Sequence, residues 1–424
     1  MHEIYLDHAA TTYLDPRVKE AMSLYWEQEF GNPSSLYRTG RRAKDALDSA
    51  RASVAKNLNA KPEEIIFTGG GTEAINLAIF GIARFYQNQG KHIITTRIEH
   101  HAVLHAVEAL QKEGFEITYL DVDEYGLVDP EEVKKALRVD TILVAVMYAN
   151  NEIGTVEPIE EIARVIYDFK KLQATSYKLQ TPFFMTDACQ AAGSLEMDIQ
   201  KLGTDLLAMN GSKIYGPKGV GCLYARKGVR LKPLIYGGGQ ENNLRSGTEN
   251  VPGIIGLAKA FEIAQEEREK ENVRLVELRD YFIREVMVRV PKVVLNGHSE
   301  KRLPNNINIS VLDIEGEAVV LYLDEKGIYI STGSACTSTT LDPSHVILAL
   351  GRPYEYAHGS LRFTLGKRTT KEDLGYVLEV FPQVVEKLRK ISPIRMEVGQ
   401  GAISHPEAFA GQGAKVKVGG KNYK

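Results

Sequence analysis

The chain has 424 residues, of which 43% are hydrophobic and 25% are charged, and its formal net charge at pH 7 is −3. This composition is typical of a globular protein with two or three domains. The small net charge points to neither nucleic acid nor an anionic membrane as a direct partner. The three cysteines, Cys189, Cys222 and Cys336, are too widely spaced for a disulfide framework or a C-x-x-C metal site, so we predict no resident metal.

The chain is expected to work in the cytoplasm and not in a membrane. Its longest apolar stretches, such as Thr141–Met147, have the length of a strand. The first residues, M-H-E-I-Y-L-D-H, lack the basic start and the apolar core of a signal peptide.

Strands and helices alternate through the first part of the sequence. Helices are predicted from about Thr72 and up to Leu110, after the first and second strands. Such alternation is typical of an α/β domain built on a mostly parallel sheet. The predicted buried strands are Glu64–Thr68, His92–Thr96, Glu116–Leu120, Thr141–Tyr148, Phe183–Thr186, Leu206–Ala208 and Gly221–Tyr224.

The pattern changes from about Pro252. A long charged helix is predicted from Gly256 to about Val290, followed by strands near Ile307–Val311 and Ser360–Leu365 and a last helix near Lys371–Lys390. We therefore predict a large domain over residues 13–255 and a smaller α+β domain over residues 256–396, to which residues 1–12 also belong. Residues 397–424, rich in Gly, Ala and Lys, are predicted to form a flexible tail.

Three polar features follow predicted strands. The turn T-G-G-G-T-E, Thr68–Glu73, opens a helix and can present backbone N–H groups to a phosphate, although such turns are often only tight turns. Asp187 ends an apolar strand, where it would point into a ligand crevice or cap a helix. Lys213, in N-G-S-K-I-Y-G-P-K-G, is a candidate Schiff-base lysine, with Lys218 as its rival. Together they supply what a pyridoxal phosphate (PLP) enzyme needs.

Other candidate residues lie outside these turns. Cys336, in S-T-G-S-A-C-T-S, has the small polar neighbours of a reactive cysteine, but it can also be an inert loop residue. Arg362, on an alternating strand, can hold a carboxylate through two hydrogen bonds or form a surface ion pair. His100, His101 and His105 are close together, and one imidazole could stack on a flat cofactor.

From Tyr5 to about residue 395 the sequence resembles the PLP-dependent cysteine desulfurases of the NifS/IscS type, within the class V aminotransferase-like group of fold type I. The segments that carry the resemblance are F-G-N-P-S-S, F-T-G-G-G-T-E, N-N-E-I-G-T-V, K-I-Y-G-P-K-G, G-G-G-Q-E-x-x-L-R-S-G-T and S-T-G-S-A-C-T-S. The resemblance implies a large domain with a mostly parallel sheet of the seven-stranded type and a small α+β domain.

The resemblance also implies roles at the cofactor ring. Lys213 would carry the cofactor as a Schiff base, and Asp187 would pair with the protonated ring nitrogen. Gln190 would bond the ring hydroxyl oxygen. His100, the first of the adjacent pair, would stack on the ring.

For the phosphate, the resemblance implies Gly71 and Thr72, together with Thr248 from the neighbouring subunit of a homodimer with shared sites. The family usually shows S-x-H-K, whereas this chain has Asn210 and Ser212 at the serine and histidine positions. Both side chains can still donate hydrogen bonds to the cofactor. We expect the exchange of an imidazole for a hydroxyl to weaken phosphate binding.

For the reaction, the resemblance implies that Asn151, also part of the cofactor site, and Arg362 hold the carboxylate of L-cysteine. Cys336 would take the sulfur as a persulfide and leave L-alanine. The acceptor would be an iron–sulfur scaffold protein, for which Cys336 could be a transient cluster ligand, or a tRNA-thiolation enzyme. The alternatives are another class V aminotransferase, an enzyme like selenocysteine lyase, or a weakly catalytic sulfur-relay scaffold.

Overall fold

The computed structural model describes residues 3–174, 181–333 and 343–392, together with the backbone of two paired tail strands, Lys417–Val418 and Lys421–Asn422. The rest of the predicted tail lies outside the described residues. The helices are α1 (Pro16–Glu27), α2 (Arg38–Leu58), α3 (Gly71–Tyr86), α4 (His101–Lys112), α5 (Pro130–Ala136), α6 (Ile159–Ala174), α7 (Ile199–Leu202), α8 (Val251–Arg289), α9 (Gly316–Asp324), α10 (His345–Ala349), α11 (Tyr354–His358) and α12 (Lys371–Ile391).

A seven-stranded sheet forms the centre of the large unit, in the order β2-β8-β7-β6-β5-β3-β4. β8 runs antiparallel to both its neighbours, and the other pairings are parallel. The predicted mostly parallel α/β fold is therefore confirmed. The strands of the two units are β1 (Ile4–Tyr5), β2 (Ile65–Thr68), β3 (His92–Thr96), β4 (Glu116–Leu120), β5 (Thr141–Ala145), β6 (Phe183–Asp187), β7 (Leu206–Asn210), β8 (Gly221–Ala225), β9 (Val293–Leu295), β10 (Asn306–Val311), β11 (Ile328–Tyr329) and β12 (Ser360–Thr364).

Side chains on the two faces of this sheet pack into separate cores. Ile65 and Phe67 of β2 point into one core, and Ile66 between them points into the other. Both faces are thus covered, which explains why the strands read as continuous apolar runs rather than as alternating ones.

The smaller unit has a three-stranded antiparallel sheet in the order β12-β10-β9. Its core includes Phe282, Phe363 and Phe381, and Ile4 and Leu6 from the start of the chain join it. β1 pairs in parallel with β11, so the N-terminal segment adds to this unit.

Helix α8 belongs to both units. Its first part packs Leu257 and Phe261 into the large core, and its second part packs Leu275 and Phe282 into the small core. The helix begins at Val251 and not at Gly256 as predicted, because Pro252 lies in the first turn, where its missing N–H costs nothing. The predicted domain boundary between residues 255 and 256 falls inside this continuous helix.

The strand predicted over Thr141–Tyr148 ends at Ala145. The apolar run continues because the following loop is itself buried: Val146, Met147 and Tyr148 are at most 9% exposed. Among the described residues, no helix is long and apolar enough to cross a membrane.

The aromatic rings that contact one another in the small core, at tilted and edge-to-face angles, should dominate its stability. Phe363 is fully buried, with ring centroids 5.1 Å from Phe282 and 5.7 Å from Phe381. We expect Phe363→Ala to lower the free energy of unfolding by about 3–5 kcal/mol, measured by urea denaturation. Leu321→Ala, at an exposed position of the same unit, should change it by less than about 0.5 kcal/mol. Similar losses for the two variants would contradict this view of the core.

Candidate active site

A cavity of about 370 Å³ lies where the loops after β2, β3, β5, β6 and β7 meet β12. This is the edge of a parallel sheet at which ligands usually bind, and the volume suits a small molecule. The structure brings nine of the predicted site residues to its wall: Gly71, Thr72, His100, Asn151, Asp187, Gln190, Asn210, Lys213 and Arg362.

Gly71, the first residue of α3, forms a tightly packed part of the cavity wall. A Cβ atom on Gly71 would lie 2.7 Å from Cys189 Sγ and 3.3 Å from Asn210 Cβ, so the site has no room for a side chain there. Ser212 lines an adjoining hollow with Thr72 and Asn210. Asn210 Oδ1 accepts a hydrogen bond of 3.2 Å from the Ser212 N–H, which fixes the turn that carries Lys213.

Lys213 meets the N-terminal segment of the chain. Its Nζ donates to the carbonyl oxygen of Ala9 at 2.8 Å and also to that of Ala10. Gln190 Nε2 donates to the same Ala9 oxygen at 3.0 Å. Two predicted cofactor residues are therefore held by one stretch of backbone from the other unit.

Asp187 ends β6 and is 7% exposed. Its Oδ1 accepts from the Cys189 N–H at 2.9 Å. Burial, reinforced by the nearby Asp187 carboxylate, raises the pKa of Cys189 well above the usual thiol range. Cys189 is thus a neutral thiol in the wall of the cavity and not a nucleophile.

His100 is the N-cap of α4, and its Nδ1 accepts from the Ala102 N–H at 3.1 Å. The neutral ring therefore carries its proton on Nε2. His101 also lines the cavity, in ring contact with His345 at 4.8 Å and with the exposed His105 at 4.9 Å. Burial, together with these neighbouring histidines, lowers the pKa of His101 to about 4.

Arg362 lies in β12 and is 3% exposed. Nη1 donates to the backbone oxygen of Asn151 at 3.0 Å, and Nη2 donates to Asp7 Oδ1 at 2.8 Å. Nε is buried and has no hydrogen-bond partner among the residues that the structure describes. The sequence indicated a possible surface ion pair, whereas the ion pair that Arg362 makes is buried at the cavity wall.

Besides Ser212, which lines the adjoining hollow, two predicted residues are not in the described cavity wall. Thr248 is exposed and does not line the cavity. Cys336 lies outside the described residues. Gly333 before its segment and His345 after it both line the cavity.

Comparison with known proteins places this geometry in a family. The model for class V aminotransferases matches residues 4–377. Cysteine desulfurase IscS of Dictyoglomus turgidum is 54% identical over 395 residues, covering 93% of this chain and 98% of the relative. Cysteine desulfurase IscS of Methanosarcina thermophila is 51% identical, covering 92% of this chain and 94% of the relative.

The chain belongs to the cysteine desulfurase family of class V aminotransferases. Solved structures agree: a NifS-like protein superposes with a TM-score of 0.84 at 37% identity, covering 91% of this chain and 100% of that one. SspA in complex with cysteine superposes with a TM-score of 0.74 at 34% identity, covering 85% of this chain and 98% of that one. The resemblance found in the sequence is confirmed.

Two buried carboxyl groups of this family member were not predicted from the sequence. Glu152 is 3% exposed, lines the cavity and accepts a hydrogen bond from Ser344 Oγ. Glu99 is 1% exposed, and its Oε1 accepts from Thr96 Oγ1 at 2.9 Å and from the Met147 N–H at 2.8 Å. Nothing in the sequence around Glu99, which lies between Ile98 and His100, indicates that its carboxyl group is buried.

The Glu99 carboxyl should make stability depend on pH. Burial raises its pKa from 4.5 to about 8, so the folded protein keeps this proton over a range in which the unfolded chain loses it. Its contribution to stability is full below pH 4.5 and decreases as the pH rises towards 8. Glu99→Gln removes this loss. The variant should therefore gain on the wild type by up to about 1.4 kcal/mol per pH unit between pH 5 and 8 in urea denaturation. Parallel curves would contradict the assignment of a buried neutral carboxyl.

Proposed function

We propose that this protein is a PLP-dependent cysteine desulfurase that converts L-cysteine to L-alanine and passes the sulfur to Cys336. The observation that carries the proposal is the meeting of Lys213, Asp187 and the Gly71 turn with Arg362 in a single cavity. The first three suit a cofactor, and Arg362 suits the carboxylate of an amino acid. The names of the relatives support the choice of cysteine.

The residues present fit PLP. Class V aminotransferases use this cofactor, and here the Gly71–Thr72 turn at the start of α3 can hold a phosphate through backbone N–H groups. Asp187 would keep the ring nitrogen protonated, and Gln190 would bond the ring hydroxyl. Lys213 Nζ would bond the aldehyde. Bound PLP supplies an electron-withdrawing ring that stabilises negative charge at the substrate Cα.

The chain's own groups would then act on the substrate. Arg362 and Asn151 would hold its carboxylate, which fixes Cα beside Lys213. The Lys213 amine, once released from the cofactor, would take the Cα proton. His100 would stack on the ring and could return a proton from Nε2.

Sulfur transfer would use Cys336. Its thiolate attacks the substrate sulfur, an S–S bond forms and the Cβ–S bond breaks, with the electron pair remaining on the three-carbon product. Protonation of that product gives alanine. In the sequence, Cys336 follows Gly333, a residue of the cavity wall, by three positions.

The proposal includes a homodimer in the cytoplasm, in which Thr248 reaches the phosphate of the neighbouring subunit. Its exposed position away from its own cavity suits a role in a second site. The persulfide on Cys336 would pass to an iron–sulfur scaffold protein or a tRNA-thiolation enzyme.

Two variants test the central claim. Lys213→Ala should lose the visible absorbance of lysine-bound PLP and all activity. Cys336→Ala should keep that absorbance but release neither alanine nor sulfide from L-cysteine in the presence of a thiol reductant. A colourless wild-type protein that never takes up PLP would contradict the cofactor. Normal desulfuration by Cys336→Ala would favour an aminotransferase or lyase, which needs no such thiol.

The close packing around Gly71 leads to a separate prediction. The methyl group of Gly71→Ala would meet Cys189 Sγ at 2.7 Å and displace the phosphate turn. We expect at least a roughly tenfold weaker affinity for PLP, measured by titrating apoenzyme with cofactor. Gly375→Ala is the control, because apart from the backbone of its own helix no described atom lies within 4 Å of the new methyl group. Equal affinities in the two variants would rule out the turn as the phosphate site.

A further inference from the structure

We propose that Asp7 is a positioning residue for Arg362, setting the orientation in which the guanidinium receives the substrate carboxylate. The inference rests on the proposed function, in which Arg362 binds the substrate. It assigns to a residue of the N-terminal segment a part in substrate recognition, although Asp7 itself need not touch the substrate.

The contacts of Arg362 carry the argument. Asn151 O accepts from Nη1 at 3.0 Å and Asp7 Oδ1 accepts from Nη2 at 2.8 Å, so both terminal nitrogens of the fork are held. The guanidinium is planar, and two fixed nitrogens fix its plane. Arg362 lines the cavity, and each terminal nitrogen has a second hydrogen for a carboxylate. Without Asp7 only one nitrogen would be held.

Burial makes the partner necessary. Arg362 has 3% of its side chain exposed and Asp7 has 17%. An uncompensated buried cation is strongly unfavourable, so loss of Asp7 would leave Arg362 to find another partner or to turn away from the cavity.

The backbone on either side of Asp7 is held in place before any ligand binds. Thr364 N–H donates to Leu6 O at 2.7 Å, and the Ala9 N–H donates to Thr364 Oγ1 at 2.9 Å. Tyr5 Oη donates to Asp7 O at 3.0 Å. Asp7 is therefore fixed beside Thr364 of β12, which is two residues from Arg362. Its carboxylate can hold the guanidinium in one orientation.

The test compares binding of L-cysteine with binding of cysteamine, which lacks the carboxylate, to the PLP-loaded enzyme by the change in visible absorbance. Asp7→Ala should weaken the binding of cysteine by roughly 10- to 100-fold and leave that of cysteamine unchanged. Asp7→Asn keeps an oxygen acceptor for Nη2 but removes the charge, so it should lose less affinity for cysteine than Asp7→Ala. If Asp7→Ala does not retain PLP, Asp7→Ser replaces it in the test. The serine hydroxyl is too short to reach Nη2, so this variant should show the same weaker binding of cysteine.

Asp121→Asn is the matched control, since this carboxylate pairs with Arg97 at an exposed site away from the cavity. Tighter binding of cysteine by Asp7→Ala would show that Asp7 only competes with the substrate, and equal losses for both ligands would show a merely structural role; either result overturns the proposal. If the wild-type enzyme responds to neither ligand, the proposed function itself fails.

Discussion

The covering of both faces of the seven-stranded sheet determines where chemistry can occur in this molecule. Since the strands other than the edge strand β4 are buried on both sides, a polar side chain that must reach a ligand can leave them only at a strand end. Gly71, His100, Asn151, Asp187 and Asn210 all lie at such ends or in the loops that follow them. They come from five different segments, and the parallel arrangement alone brings them to one edge.

Without the smaller unit, that edge of the sheet would form only one wall of the cavity. β12 brings Arg362, and the segment Asp7–Ala10 brings the carboxylate and carbonyl oxygens that hold Arg362 and Lys213. The cavity therefore has two walls with different tasks. The sheet edge offers groups for a phosphate and an aromatic ring, while the smaller unit offers a cation for a carboxylate.

The sequence predicted the first wall better than the second. Asp187 was recognisable because it ends an apolar strand, and Lys213 because it follows small polar residues and precedes a glycine-rich stretch. Nothing in the sequence indicated the buried ion pair of Arg362 with Asp7, because the partners are 355 residues apart. Each residue, taken alone, would also be compatible with a position on the surface. Glu99 and Glu152 were missed for a related reason: burial of a carboxyl depends on packing from distant elements. The end of β5 was placed too late because a buried loop has the same composition as a buried strand.

The contacts between the two ends of the chain bear on how the molecule is made. Leu6 and Ala9 bond Thr364, and Ala9 bonds Lys213, so the cavity joins residues near the start of the chain to a strand close to its end. During synthesis the seven-stranded sheet can form well before β12 leaves the ribosome. Throughout that interval the N-terminal segment lacks its hydrogen bonds to Thr364, which help to fix the carbonyl oxygens that hold Lys213. The site is thus completed only by the last part of the folded chain, and a truncated polypeptide would retain the sheet edge without the arginine proposed to bind the substrate carboxylate.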